Sequence, residues 1–320
     1  MAKSPRATIG LIFVGGSTLD GRDRDVTTVT KSSDIQPWLA RMTEAEIIGD
    51  TVGWFVASGE QPIGPTDWSA TVKTISDHYD EVDGFVVLHA LESVTAGATA
   101  LQLMLPVLGK PVVVVGSPLP APHERRQGQR EAWPTTKEYG AKASFINAIQ
   151  VAISDVGEVV VVYGSHVFRG TSVIRRMTGE RSRLDGQTLG KIDFGIRLFG
   201  EQVRRSQRPL KILPKIESRV TAIEFFPGMT ADQIVSMASG ASGVFLSSHE
   251  SWHALQSALP DIAKRLPVPL GIYAPSQTTV PAGLIVPGVS RTTALVTFMW
   301  VLGQSTVLAQ MKKKFLTIGR

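Results

Sequence analysis

The apolar run Phe85-Val86-Val87-Leu88 stops at His89-Ala90-Leu91-Glu92-Ser93, and a stretch of small residues follows from Thr95 to Ala100. A short apolar run bounded by polar residues reads as a buried strand, and the small residues after it read as a helix lying close against that strand. No other segment limits the fold as tightly. Buried strands feeding helices belong to α/β architectures, where ligands collect at the carboxyl ends of the strands. Residues 89–93 are therefore the first place to look for chemistry.

The same alternation runs along the chain. Apolar, β-branched runs predict strands at Thr8–Val14, Gly53–Ala57, Gly84–Leu88, Pro111–Val115 and Glu158–Tyr163. Helical spacing predicts helices at Trp38–Gly49, Trp68–Tyr79 (with Pro65 and Thr66 as start signals), Thr95–Leu108 and Lys142–Val156. Central apolar strands alternating with helices argue a doubly wound parallel sheet. From Asp193 to Lys211 the chain is polar, basic and weakly periodic, and it reads as a connection. The alternation then restarts. Strands are expected at Val220–Phe225, Gly243–Leu246 and Pro269–Tyr273, and helices at Thr230–Ser239, Trp252–Leu266 and from Thr292 towards Lys313. The expected organisation is a larger N-terminal α/β domain over 1–195, a linker over 196–211 and a smaller α/β domain over 212–320. Pro118–Lys137, with its prolines, glycines and arginines, reads as a long surface loop.

Composition bounds the classes of function. A chain of 320 residues, 43% apolar and 19% charged, can bury the core of a soluble two-domain protein. It has no cysteine, which removes disulfides, thiolate metal sites and cysteine nucleophiles, and which fits a reducing compartment. The formal charge of +5 is spread over dispersed clusters, Arg22–Arg24, His123–Arg130, Arg175–Arg183, Arg204–Lys211 and Lys312–Lys314. They carry little aromatic interleaving, so a nucleic-acid groove is not indicated. The run Ile9–Val14 is too short to span a membrane and meets Gly15-Gly16 at once. A cytoplasmic protein is expected.

Val14-Gly15-Gly16-Ser17-Thr18 follows the first predicted strand directly. Glycines let the backbone approach a ligand closely, and their amides can point at an anionic or carbonyl oxygen. Either hydroxyl can attack an amide carbonyl once a base activates it. An ordinary strand-to-helix turn whose hydroxyls bind backbone uses the same residue types. His249 and His253 stand at i and i+4 but lack the Glu placement of a zinc-protease helix, and no dinucleotide, phosphate-loop or Gly-x-Ser-x-Gly motif is present. No metal and no cofactor is expected.

In order and spacing these segments resemble the bacterial-type L-asparaginase/glutaminase family over residues 7–304. The resemblance implies a two-domain asparaginase-like fold. It implies a Thr nucleophile in the family's Gly-Gly-Thr signature, which falls on Ser17 by direct alignment and on Thr18 if the turn holds one extra residue. The family's His-Gly-Thr-Asp-Thr falls on His89–Ser93. Ala90 then stands at the Gly, Leu91 at the relay Thr and Glu92 at the substrate-binding Asp. Leu91 has no oxygen to hold or activate water. Glu92 keeps a carboxylate, one methylene longer, and can hold a cation. The relay Lys, reached through Val160–Gly170, reads Arg175; a guanidinium stays charged and passes protons poorly, although it can grip Glu92 in a bidentate pair. Glu60-Gln61 aligns with the pair that binds the substrate's α-carboxylate and amine, and a plain solvated loop is the alternative for these two residues. Phe225–Met229 resembles the Tyr-Pro-Gly-Met turn that opens the family's second domain, and Phe298–Gln304 resembles its last helix. Ser247–Ser251 departs from the family's Gly-rich segment with an Asn that reaches a neighbouring subunit's site.

The resemblance supports two expectations. The first is side-chain amide hydrolysis, with Ser17 or Thr18 as nucleophile, Glu92 as anchor or base, Arg175 supplying charge, and Gly16, Glu60, Gln61, Ala90 and Leu91 lining the ligand site. The second is a catalytically inactive member used for binding or assembly, because the members of a relay act as a unit and Leu91 and Arg175 break it. Both imply a small amino-acid or amide ligand and a homodimer or homotetramer. Convergence of Ser17, Thr18, Glu92 and Arg175 would favour chemistry; apolar filling around Leu91 would favour a silent pocket.

Overall fold

The computed structural model describes residues 6–15, 17–18, 28–56, 63–117, 141–178, 181–193, 195–248, 252–273, 284–285 and 289–304. The chain divides into two compact units, Met1–Pro214 and Lys215–Arg320. The strands of the first unit are β1 (Thr8–Val14), β2 (Ser17–Thr18), β3 (Thr28–Val29), β4 (Asp50–Val56), β5 (Gly84–Ala90), β6 (Val112–Ser117), β7 (Val159–Tyr163), β8 (His166–Arg169), β9 (Ile174–Thr178), β10 (Arg181–Asp185), β11 (Thr188–Ile192) and β12 (Ile196–Leu198). Its helices are α1 (Ile35–Leu39), α2 (Thr43–Ile48), α3 (Pro65–Asp77), α4 (Val94–Met104) and α5 (Ala141–Ala152).

Eight of these strands form one sheet in the order β12-β11-β8-β7-β6-β5-β1-β4. The run β7-β6-β5-β1-β4 is parallel throughout. Numbered along the chain, its strands stand 2-1-3-4-5, the flavodoxin-like arrangement of a doubly wound sheet. Val86, Leu88, Val113, Val115, Val160 and Val162 share a core with Trp38 of α1, Ala45 of α2 and Phe145 and Ile149 of α5. Alternation along a strand sends Phe85, Val87 and His89 to the opposite face, where α3 and α4 pack on each other and on the sheet. Every residue of β5 is buried, as expected of a central strand covered on both sides.

The structure departs from the sequence expectation in three places. The sheet is not parallel throughout: β7 turns back at Gly164, whose φ of 59° lies in the left-handed region, and β8, β11 and β12 extend the sheet antiparallel. The single helix expected over Trp38–Gly49 is broken into α1 and α2. Trp38 stands edge-on between Phe13 and Phe145, with ring centroids 5.0 Å from each, while Ala45 reaches the same core from α2. Segment 196–211, read as a linker, lies along the first unit. It supplies β12, and the Val203 amide donates to the buried Glu158 carboxylate at 2.8 Å while the Val203 carbonyl accepts from the Gly157 amide at 2.7 Å. Arg169 also grips Glu158, through Nε at 2.8 Å. These partners are backbone atoms and one carboxylate, which leave no periodicity in the segment itself.

The second unit contains β13 (Val220–Glu224), α6 (Ala231–Met237), β14 (Gly243–Ser247), α7 (Trp252–Arg265), β15 (Leu270–Tyr273), β16 (Leu284–Ile285) and α8 (Arg291–Gln304). Its four strands are parallel in chain order. Phe298 of α8 is fully buried and lies over Gly243 and Gly271, where a methyl group on either glycine would meet the ring within 3.0 Å. At the carboxyl edge, the Ser247 hydroxyl donates to Glu224 at 2.5 Å and accepts from Arg291 Nε at 2.8 Å, tying β13, β14 and the start of α8 together. The loop over 118–137 and the last helix beyond 304 lie outside the described residues.

Candidate functional site

In a 2-1-3-4-5 sheet the strand order reverses between the first and third strands, here β1 and β5, and the connections leave the sheet on opposite sides. That opens a crevice at the carboxyl ends of β1 and β5. Both sequence motifs fall there. β1 ends at Val14; Gly15 then adopts a left-handed φ of 68°, and its amide donates to Val56 at the end of β4 at 3.0 Å. Only a glycine takes this conformation without strain. The chain then forms β2, which pairs antiparallel with β3 and whose Cα atoms approach those of β5 within 8 Å. The backbone that carries Ser17 and Thr18 is thereby brought beside the strand that leads to Leu91 and Glu92. Gly16, Glu60 and Gln61 lie outside the described residues, as do the side chains of Ser17 and Thr18.

β5 ends in a tight turn. The Ser93 amide donates to the Ala90 carbonyl at 3.2 Å, and the Gly97 amide donates to Ser93 at 2.9 Å as α4 begins. Ala90 is fully buried, Leu91 half-buried and Glu92 exposed. Leu91 lies against Gly116 of β6: a Cβ there would stand 2.6 Å from Leu91 Cδ1 and 3.4 Å from its Cα. The position that the resemblance gives to an oxygen-bearing Thr is thus held by an aliphatic side chain resting on bare backbone. Ser93 precedes α4 without capping it, and its Oγ is buried with no hydrogen-bond partner among the described residues. A buried hydroxyl left unpaired is costly, so this oxygen keeps unused hydrogen-bonding capacity.

One residue inside the strand is hydrogen-bonded to the turn's first carbonyl. His89 is 1% exposed and points between α3 and α4. Trp68 Nε1 of α3 donates to its Nε2 at 3.2 Å. An indole nitrogen only donates, so Nε2 must accept, and the proton of the neutral ring sits on Nδ1. Nδ1 then donates to the Ala90 carbonyl at 3.1 Å. Burial pushes the His89 pKa from 6.5 down to about 4, outweighing the opposite pulls of the Ala90 carbonyl and of Asp67. Gly97 makes room for the ring, since a methyl group there would stand 2.3 Å from Nε2. Asp67 is itself nearly buried and accepts from the Gly64 amide at 2.8 Å, closing the first turn of α3 behind Trp68.

Arg175 does not lie in the large sheet. It is exposed in β9, paired in register with Leu184 of β10, in a separate two-stranded hairpin. The structure therefore gathers β2, Ala90, Leu91 and Glu92 at one strand edge and sets Arg175 on the hairpin. Sequence reasoning passed over Trp68, Gly97 and Gly116 as site residues, and it placed Ser93 in the 89–93 motif without giving it a role. The available signal was parity: Phe85, Val87 and His89 share one face of a buried strand, so the imidazole had to enter the helix layer and find a donor there.

The sheet order and the crevice at its strand ends define a doubly wound α/β protein built of two units. The family described as "Asparaginase, N-terminal" matches residues 8–204, and the chain belongs to this family. A glutamyl-tRNA(Gln) amidotransferase subunit of Methanosarcina barkeri is 28% identical over 93% of this chain and 74% of its own length. L-asparaginase 1 of Escherichia coli K12 is 28% identical over 53% of this chain and 48% of its own. Among solved structures, L-asparaginase I from Vibrio cholerae matches with a TM-score of 0.73 at 20% identity, covering 97% of both chains. At that identity the likeness speaks for the two-domain fold. No described helix is long and apolar enough to cross a membrane, and no group of three or more His, Asp or Glu among the described residues could hold a metal ion.

Proposed function

We propose that this family member binds a small amino-acid or amide ligand at the carboxyl edge of β1 and β5 without the family's proton relay. The observation that carries the reading is Leu91 resting on Gly116. A relay needs an oxygen at this point, and a methyl-tipped side chain neither holds water nor moves a proton. What remains suits binding. Glu92 offers a carboxylate to the cationic end of a ligand, Ser93 Oγ offers an unused hydroxyl, and Gly15 and β2 bring backbone close. The test is calorimetry with L-asparagine, L-glutamine and L-aspartate beside an ammonia-release assay. Binding of at least one, weakened about tenfold or more in Glu92→Gln, is expected, since a hydrogen bond to a charged group is worth roughly 1.5–3 kcal/mol. Ammonia release that disappears in a Ser17→Ala/Thr18→Ala double variant would overturn the reading.

That outcome would establish the second reading, amide hydrolysis by Ser17 or Thr18, with Glu92 as anchor or base and Arg175 supplying charge. Its support is the approach of β2 to β5. In either case we read the chain as a cytoplasmic homodimer or homotetramer. An amidotransferase subunit stands among its relatives, and light scattering on the purified chain decides the state.

A further inference from the structure

Trp68 and His89 belong to no catalytic position of the family resemblance, yet they form a continuous chain of donors and acceptors that ends on the ligand-facing turn. We infer that Trp68 and His89 are positioning residues, which fix the Ala90–Ser93 turn by holding the Ala90 carbonyl from inside the helix layer. The inference rests on the reading that this turn meets the ligand. Three observations carry it. The Ala90 carbonyl accepts two hydrogen bonds, from the Ser93 amide that closes the turn and from His89 Nδ1. The ring can donate there only while Nε2 is an acceptor, and Trp68 enforces that. Gly97 leaves the ring a slot that a methyl group would close.

The device has a direction. Trp68 selects the tautomer, the tautomer selects the donor, and the donor holds the carbonyl whose own peptide leads into Leu91. Protonation of His89 would place a second N–H opposite the indole N–H and break the chain at its first link. Of the groups facing the ring, Asp67 on α3 is charged. Trp68 on α3, Gly97 on α4 and Gly116, its register neighbour on β6, are not.

The experiment uses the intact chain. First, ¹⁵N imidazole spectra of the free protein report the His89 tautomer: the Nδ1–H form is expected, and the Nε2–H form would overturn the inference. Second, hydrogen exchange at the Ser93 amide is compared in Trp68→Phe, His89→Gln and His89→Asn. Glutamine reaches Trp68 but has no donor at the Nδ1 position, whereas the shorter asparagine places its amide where Nδ1 stood. Exchange should rise about three- to tenfold in His89→Gln and Trp68→Phe, the factor for one lost neutral hydrogen bond, and less in His89→Asn. Third, affinity for whichever of L-asparagine, L-glutamine and L-aspartate wild type binds should fall in the same order, while Val72→Ala, a core change in α3, should leave it unaltered. Equal effects from Val72→Ala and His89→Gln would reduce Trp68 and His89 to general packing and sink the inference. If wild type binds none of L-asparagine, L-glutamine and L-aspartate, the binding proposal falls by itself, and the tautomer and exchange results still decide the positioning role.

Discussion

Acid should unfold this protein partly through one imidazole. In the unfolded chain His89 takes up a proton as the pH falls through its ordinary 6.5; in the fold it does so only near 4. Between those values the unfolded state binds more protons, so stability declines as pH falls and is fully present above 6.5. Each pH step across this window should remove about 1.4 kcal/mol, or about 3 kcal/mol in all, because the ring is fully buried and water does not screen it. The measurement is urea unfolding of wild type and His89→Gln at several values from pH 7.5 to 4.5. Differencing the two proteins removes the other groups, including His166, whose pKa burial also lowers. The difference should shrink steadily with acid. A difference that stays flat, or grows, would show that the ring is hydrated in solution and would refute the account.

Other perturbations test separate parts of the fold. Gly97→Ala pushes a methyl group into His89 Nε2, so it should cost about 1–3 kcal/mol in denaturant titration and shift the His89 imidazole resonances. Arg169→Met strands the buried Glu158 carboxylate and should cost roughly 3–5 kcal/mol; Glu158→Gln should recover part of it in the double variant. Phe298→Ala empties the space over Gly243 and Gly271 and should cost about 3–5 kcal/mol, read by proteolysis of the second unit, with little change at the Ser93 amide.

Most of what positions the site was visible in the sequence, and the reasons are local. β1, β5, β6 and β7 are valine- and isoleucine-rich runs between turn formers, and a buried parallel strand has few other ways to be written. The glycine after β1 is demanded by one backbone angle, so it too shows in the chain. What escaped detection depends on distant partners. The short strands β8, β11 and β12 are half polar and owe their place to β7, and 196–211 owes its place to Glu158 and to backbone. The loss of an oxygen at Leu91 could be read from the residue alone. That the side chain has a seat on Gly116 could not, because 25 positions separate them and only the β5–β6 register brings them together. The same holds for Trp68 and His89, 21 positions apart.

The register of β5 has a consequence for how such a site can change over generations. Leu88 and His89 face opposite layers, so inserting or deleting a single residue in the strand would drive the imidazole into the valine-lined side and an aliphatic chain against the indole. Length is therefore frozen, and variation at the strand tip is confined to exchanging one side chain for another. A lineage built on this frame can rewrite what its crevice does letter by letter, but it cannot move the crevice.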